Sequence, residues 1–436
     1  VNVIIGAGLT GLSTAHHLQG ERLVLEREPI PGGLCRSEVV DGFTFDLTGH
    51  LLHLRRPEII SLVGELLPPE AFNRIDRRSF IYSHGVFTPY PYQVNTHGLP
   101  AEVISECLRG FIDAVAQGEV PAEEVSRLSF RDWVLRVFGP GIARHFMFPY
   151  NEKLWRTDLS GMTCEWVSWS VPRPSLREVI DGALGISKQS FGYNPSFLYP
   201  RRGGIRILPD ALAARVEGVR YGAEVLSVDA ARRVVTFRTE GGEVEEAPYR
   251  NLVSTMPLPT LLRLTEGLPA ALAGVAPELR ATAVVNINLG IERPHVTDMH
   301  WVYFPEPEFT FYRCGFPASF TPEAAPAGCS SFYIEVSLDA DQPWSEDDLA
   351  EKCRQGLLRC GLMRADDRII ARKSFHISPA YVIYDRFRMR HLGEALAALA
   401  ELGIHSAGRY GAWYYNSMED SLADGRATAL AIEGRA

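Results

Sequence analysis

Gly6, Gly8 and Gly11 form a Gly-x-Gly-x-x-Gly run directly behind the apolar stretch Val3-Ile4-Ile5. Glu26 ends the next apolar stretch, Leu23-Val24-Leu25. This spacing suits a pyrophosphate and a ribose. Gly6 permits a tight strand-to-helix turn, Gly8 lets backbone approach a phosphate, and Gly11 lets the helix lie close to the strand. The helix N-terminus offers unpaired N–H groups to the anion, and Glu26 can accept ribose hydroxyls. A lone glycine run would be a weak signal. Strand, glycines, helix, second strand and terminal acid in this order predict a dinucleotide site. A second glycine pair, Gly32-Gly33, follows Pro31 and precedes Leu34.

Four further clusters carry a different chemistry. Gly49-His50 follows Phe43-Thr44-Phe45-Asp46, and Tyr90-Pro91-Tyr92-Gln93-Val94-Asn95 comes next. The third is Phe146-Met147-Phe148-Pro149-Tyr150-Asn151-Glu152-Lys153-Leu154-Trp155. The fourth joins Trp301-Val302-Tyr303-Phe304-Pro305 to Phe311-Tyr312-Arg313. Tyrosine and tryptophan can stack on a base or a sugar face. Asparagine and glutamine can hydrogen-bond a base edge or hydroxyls, and arginine can bind a diphosphate through two parallel bonds. Together they describe a sugar-nucleotide pocket; a lipid or porphyrin pocket would be mainly aliphatic.

These residues need elements to position them. Residues 1–65 have the pattern of an opening βαβ unit, and residues 75–95 that of short strands, such as Ser79-Phe80-Ile81-Tyr82 before His84-Gly85. Pro100 suits a first helical position. Ile104, Cys107, Leu108, Phe111, Ile112 and Val115 then recur at helical spacing before Gly118. Ser129-x-x-Asp132 resembles a capping box whose helix stops at Gly139-Pro140, and another helix is expected over residues 142–155. From about residue 195 strands return, with Glu224-Val225-Leu226-Ser227-Val228 and Arg233-Val234-Val235-Thr236-Phe237 flanking a polar turn. Val285, Ile287, Leu289 and Ile291 alternate with polar or small residues, as do Ile334, Val336 and Leu338, which predicts a sheet with one buried face. Gly408-Arg409-Tyr410-Gly411 reads as a strand, followed by a loop and a last helix.

The chain has 436 residues, enough for two or three domains. It is 46% hydrophobic and 22% charged, the composition of a soluble globular protein. A net charge of -9 argues against a nucleic-acid partner. No apolar run is long enough to cross a bilayer, so no membrane partner is expected. The chain opens directly on a strand, so no secretory leader is expected. Seven cysteines without a Cys-x-x-Cys pair suggest reduced thiols, no metal site and a cytoplasmic setting. Cys35 is expected to be a small neighbour of the cofactor.

The glycine pair after the acidic strand end resembles the FAD-binding family that includes amine oxidases, protoporphyrinogen oxidases and UDP-galactopyranose mutases. At Pro149-Tyr150-Asn151-x-Lys153-x-Trp155 and Tyr90-Pro91-Tyr92-Gln93 the chain resembles the UDP-galactopyranose mutases, the eukaryotic-type branch above all. Pro200-x-Arg202-Gly203-Gly204, Val253-Ser254-Thr255-Met256, Tyr303-Phe304-Pro305 and Gly408-Arg409-Tyr410-Gly411-x-Trp413 extend the likeness over nearly the whole length. The resemblance implies an α/β fold class. A Rossmann-like FAD-binding domain of the GR2 or amine-oxidase type would comprise residues 1–65, 195–257 and 385–436. A helical domain (96–190) and an antiparallel β-sheet substrate domain (66–95 and 258–384) would be inserted.

The same resemblance implies roles. Tyr92, Gln93, Asn151, Trp155 and Asn194 would line the nucleoside and sugar pocket. Arg313 would bind the substrate diphosphate, with Tyr303, Tyr381 and Tyr415 hydrogen-bonding it. His50 would sit on a mobile loop beside the flavin. Arg409 would face the FAD pyrophosphate and Val225 the adenine, with Leu34 and Ser421 among the cofactor contacts. Arg77 and Ser79 fall where the eukaryotic-type branch binds NADPH, so NADPH or NADH would serve as reductant. The implied activity is an isomerisation of a nucleoside diphosphate hexose between pyranose and furanose forms. In it the N5 atom of reduced FAD is the nucleophile on the anomeric carbon, with no net redox change.

The chain also departs from the family pattern. A second diphosphate arginine is replaced by Ser170, with Arg173 nearby. Thr48-Gly49 stands for Gly-Gly, and His53 and Arg55 replace an aromatic and a histidine at the pocket mouth. These departures leave a UDP-, GDP- or TDP-linked hexose open. The alternatives are a flavin oxidase or desaturase of the amine-oxidase or protoporphyrinogen-oxidase type, and a flavin-binding protein without activity. The oligomeric state is open.

Overall fold

The computed structural model describes residues 1–186 and 195–435, with Trp169 and Ser170 by their backbone. The strand Asn2–Ile5 occupies the centre of a five-stranded sheet. Its spatial order is Ile404–Ser406, Asn251–Ser254, Asn2–Ile5, Arg22–Leu25, Val219–Arg220. All four pairings are parallel. Val3, Ile4, Val24, Leu252 and Val253 are fully buried, because such a sheet is covered on both faces. The helix Leu9–His17 packs against the helix Met418–Ile432 at very short range. A Cβ on Gly425 would lie 2.4 Å from the Thr10 carbonyl oxygen.

A second, seven-stranded sheet carries the cluster from Trp301 to Arg313. Its order is Ile369–Ile377, Thr282–Ile291, Ser330–Asp339, Arg313–Gly315, Trp301–Tyr303, Ser79–Ser83, Val86–Pro89. The sheet expected to be antiparallel is mixed: Trp301–Tyr303 pairs in parallel with Ser79–Ser83. That hairpin comes from far earlier in the chain and adds to the edge of a later meander.

Two strands expected to be buried on one face are buried on both. Every residue of Thr282–Ile291 is enclosed, as is all of Ser330–Asp339 except its last residue. The aliphatic face packs on the helix Glu346–Arg359 through Leu349, Cys353 and Leu357. The polar face, with Asn286, Asn288 and Glu335, is covered by the strand Phe43–Asp46 and the turn that follows it.

The helices Ala101–Ala116, Phe130–Ile142, Phe148–Trp155 and Leu176–Ala183 form a third region. The expected stop at Gly139-Pro140 is a kink. Gly139 takes φ +73°, and helical structure resumes at once. Residues 143–147 then run into Phe148–Trp155 through a π-type turn. The strand expected at residues 408–411 is one helical turn; the strand lies just before it, at Ile404–Ser406. Gly408, at φ +78°, breaks the extended run. All seven cysteines are free. Among the described residues no helix is long and apolar enough to cross a membrane.

Candidate active site

The turn after Asn2–Ile5 is built from backbone. Gly6 has φ +98°, which favours glycine. A Cβ on Gly11 would lie 1.9 Å from the Gly6 carbonyl oxygen, so only hydrogen fits. Gly8 bridges Gly32, Gly32 N–H donates to Ala7 O at 2.8 Å, and a Cβ on Gly33 would lie 3.4 Å from Gly8 Cα. The two glycine turns therefore meet backbone to backbone. Glu26 is bonded to the first of them: its Oε2 accepts Ala7 N–H at 2.6 Å and its Oε1 accepts Glu28 N–H at 2.9 Å. Ala223 N–H donates to Glu26 O at 2.8 Å, bringing the strand that holds Val225 alongside. Leu34 packs toward Phe43 and toward Tyr312, between the glycine turn and the mixed sheet. Ser421 lies in the last helix and donates to Asn416 Oδ1 at 3.2 Å.

Strand register builds the second half of the site. Tyr303, Arg313, Glu335, Asn286 and Phe375 stand opposite one another across five adjacent strands. Trp301, Gly315, Tyr333, Asn288 and Lys373 form the next row on the same face. The segment leaving the strand Phe43–Asp46 crosses this face. Asn286 Nδ2 donates to Asp46 O at 3.1 Å, and Gly49 N–H donates to Glu335 Oε1 at 3.3 Å. A Cβ on Gly49 would meet the Tyr333 hydroxyl at 2.6 Å, so glycine is needed to seat the turn that carries His50. A small recess, with room for little more than a water molecule, lies between, lined by Thr48, His50, Asn288 and Tyr333 among others.

Tyrosine rings continue from this row. Tyr303 lies 5.5 Å from Tyr90 and 5.6 Å from Tyr150, centroid to centroid. Tyr150 meets Tyr312 edge-on at 6.4 Å, and the hydroxyls of Tyr312 and Tyr381 are 3.4 Å apart. Tyr381 stacks on Tyr415 at 6.0 Å and meets Trp155 edge-on at 5.7 Å. Guanidinium groups cap this arc: Arg77 lies over Tyr90 at 4.2 Å, and Arg409 over Tyr415 at 4.4 Å.

Charge is arranged unevenly. Arg313 is paired with Glu335 through two 2.8 Å bonds. Arg409 donates to the carbonyls of Asn416 and Ala380 at 2.9 and 3.3 Å, and no carboxylate pairs with it among the described residues. A desolvated cation without a counter-charge costs several kcal/mol, so this corner favours an anionic ligand. His50 lies near Glu335, Arg409 and Arg313, and burial first of all depresses its pKa to about 4. It is therefore neutral at pH 7. Its Nδ1 lies 3.2 Å from the Thr48 carbonyl oxygen and 3.4 Å from the Thr48 hydroxyl; the carbonyl, which can only accept, favours the tautomer protonated at Nδ1. Burial also raises Tyr381, to about 12, and Tyr312, keeping both hydroxyls protonated as donors.

The family model for flavin containing amine oxidoreductases matches residues 9–432. The crystal structure of a reduced UDP-galactopyranose mutase superposes with a TM-score of 0.92 at 30% identity, covering 100% of this chain and 94% of that one. The chain belongs to the UDP-galactopyranose mutase family of flavin-containing amine oxidoreductases. Curated relatives are more distant. Coproporphyrinogen III oxidase of Mycobacterium tuberculosis is 24% identical over 314 residues, and the match covers 66% of this chain and 66% of that protein's length. The zeta-carotene-forming phytoene desaturase of Myxococcus xanthus is 25% identical over 392 residues, 78% of this chain and 72% of the desaturase.

The family implies FAD, and the cradle fits it. The glycine-turn backbone would meet the pyrophosphate, Glu26 would accept hydrogen bonds from the ribose, and Arg409 would supply a cation. Of the expected substrate residues, Arg313, Tyr303, Tyr381 and Tyr415 come together on one side of the cleft. Trp155 touches Tyr381 but is buried, with its Nε1 donating to Asn151 Oδ1 at 3.1 Å, and Asn151 is buried with its Nδ2 donating to Met147 O at 2.7 Å. Tyr92 and Gln93 differ from expectation. Tyr92 is fully enclosed, stacked on Phe146 at 5.0 Å, and reaches the cleft only through Phe146 and Tyr150. Gln93 is buried with its amide donating to Pro172 O at 2.8 Å. Asn194 lies outside the described residues. Arg173 is exposed and follows the short helix Val167–Ser170. Arg77 Nε donates to Ser79 Oγ at 2.8 Å.

Sequence reasoning missed two residues. Glu335 was passed over within an alternating strand, although a carboxylate between Ile334 and Val336 was itself a signal. Lys153 was read only as part of a motif. Its ammonium donates to the carbonyls of Phe304 and Glu306 at 2.8 and 2.5 Å. It ties down the loop joining Tyr303 to Arg313, and burial lowers its pKa to about 7.

Proposed function

We propose that this flavoenzyme is a nucleotide-sugar mutase, interconverting pyranose and furanose forms of a UDP-, GDP- or TDP-linked hexose. The single observation that supports this most is the placement of Arg313 and Arg409 near His50, beside an arc of tyrosines. An anionic, hydroxyl-rich ligand satisfies such a cleft; an apolar polyene does not. The bound flavin, once reduced, would supply the nucleophile at its N5 atom. Arg313 holds the diphosphate of substrate and leaving group, and Tyr303, Tyr381 and Tyr415 donate to its oxygens as charge develops. Trp155 and the tyrosine faces set the sugar against the flavin and exclude water. Neutral His50 offers Nε2 as an acceptor without adding positive charge. NADPH or NADH is the proposed reductant, and the cytoplasm the proposed location.

The distant likeness to a coproporphyrinogen oxidase and a phytoene desaturase supports a second reading, a flavin oxidase or desaturase. One experiment separates the two. Dithionite-reduced protein is incubated with UDP-, GDP- and TDP-hexopyranoses, and products are separated by chromatography and assigned by NMR. A furanose formed only by reduced protein is expected. No isomerised product from any member, together with steady oxygen consumption on a polyene or porphyrinogen, would overturn the mutase reading.

A further inference from the structure

Arg313 is not free to choose how it meets a phosphate. Its Nε and Nη2 donate to Glu335 at 2.8 Å each, which commits the side edge of the guanidinium. A guanidinium carries five N–H donors in a fixed fork, so what remains is its end edge, Nη1 and the second Nη2 hydrogen. Glu335 is fully buried, while Arg313 keeps part of its surface in the cleft. The same carboxylate accepts Gly49 N–H through Oε1, so one group holds both the arginine and the turn that carries His50. Neither partner can drift. Arg313 and Glu335 are directly opposed strand neighbours, and Gly49 is pressed on the Tyr333 hydroxyl.

We propose that Glu335 is a positioning residue: it presents Arg313 as a single end-on fork of fixed bearing and locks that fork to the His50 turn. This rests on the nucleoside-diphosphate reading above. It makes two effects of Glu335 oppose each other. Its charge works against diphosphate binding, while its geometry serves turnover. Removing the charge should leave affinity intact or better, yet spoil the reaction. A residue that merely held the fold together would lower both.

The test compares the FAD-loaded parent with E335Q, E335D and R313A. UDP, GDP and TDP affinities are measured by calorimetry, and isomerisation by reduced enzyme with the matching hexose. R313A should lose at least tenfold in affinity for the diphosphate that the parent binds. E335Q should bind it as tightly as the parent or up to tenfold more tightly, with turnover down at least tenfold. E335D keeps the charge but is one methylene short of spanning Arg313 and Gly49. It should bind within threefold of the parent and turn over at least fivefold more slowly. Affinity falling with turnover in E335Q, or parent-level turnover in E335D, overturns the positioning role. If R313A binds like the parent, the pocket reading fails instead. If the parent binds none of the three diphosphates, both fall.

Discussion

At the N-terminal turn the ligand-facing surface is backbone, whereas on the sheet face it is side chains held by register. The cradle needs Gly6, Gly11, Gly32 and Gly33 because a Cβ would clash or force an unfavourable conformation. The cleft needs Tyr303, Arg313 and Glu335 on three adjacent strands, and only pairing brings them into one row. A backbone site tolerates almost no substitution at its contact points. A side-chain site divides its work and should fail by degrees.

That contrast is testable, starting where the effect is largest. Gly11→Ala should purify without flavin absorbance, because its methyl would overlap the Gly6 carbonyl 1.9 Å away. A yellow, fully loaded Gly11→Ala protein would erase the distinction. Arg313→Ala should keep its FAD but lose stability, on the order of 3–5 kcal/mol, because Glu335 is left buried without its partner. Urea denaturation of the flavin-loaded protein measures this, and a loss under about 1 kcal/mol would show that the pair is not buried in solution.

The third effect concerns pH and sharpens the comparison. His50, in the cleft, has a folded pKa of about 4 against an ordinary 6.5. The unfolded chain takes the proton first, so stability is present above pH 6.5 and lost as pH falls toward 4. Asp46, between the two sheets, is raised by burial from 3.8 to about 6 despite donors from Ser37, Tyr199 and Ile205. Here the native state keeps the proton longer, so stability is present below about pH 4 and lost as pH rises through 6. Between pH 4.5 and 6.5 the two slopes oppose. His50→Asn should therefore be relatively more stable toward acid, and Asp46→Asn relatively more stable toward neutrality, each by on the order of 1–3 kcal/mol. Denaturation midpoints across this range decide the signs. The smallest effect belongs to Trp155→Phe. It loses the bond to Asn151 but keeps most ring contacts, and should cost about 1 kcal/mol of stability and a few-fold in diphosphate affinity. A loss as large as that of Arg313→Ala would mean that the cleft does not fail by degrees.

The same contrast explains what could be read from the sequence. The cradle was legible because its requirement is local: strand, glycines, helix and acid fall within the first thirty-odd residues. Tyr303 and Arg313 stand out in the sequence because they sit in a short aromatic cluster, whereas Tyr381 and Tyr415 are singled out only by the family resemblance. Glu335 was not, because its meaning lies in a cross-strand partner 22 residues earlier. Tyr92 was set on the pocket wall because stacking chemistry can be read from residue type, while the intervening Phe146 ring cannot. The strands around Val285 and Ile334 were assigned one open face because alternation reports polarity, and here the polar face is covered by another part of the chain.

The close approach of the helices Leu9–His17 and Met418–Ile432 bears on how the protein is made. Ser13 donates to Leu422 O across 409 residues of chain. At ribosomal rates of about 5–20 residues per second, roughly 20–80 s separate their synthesis. The first βαβ unit therefore emerges with one flank uncovered and waits for its last helix. A cradle built on this pair is complete only when both helices have been made and packed together.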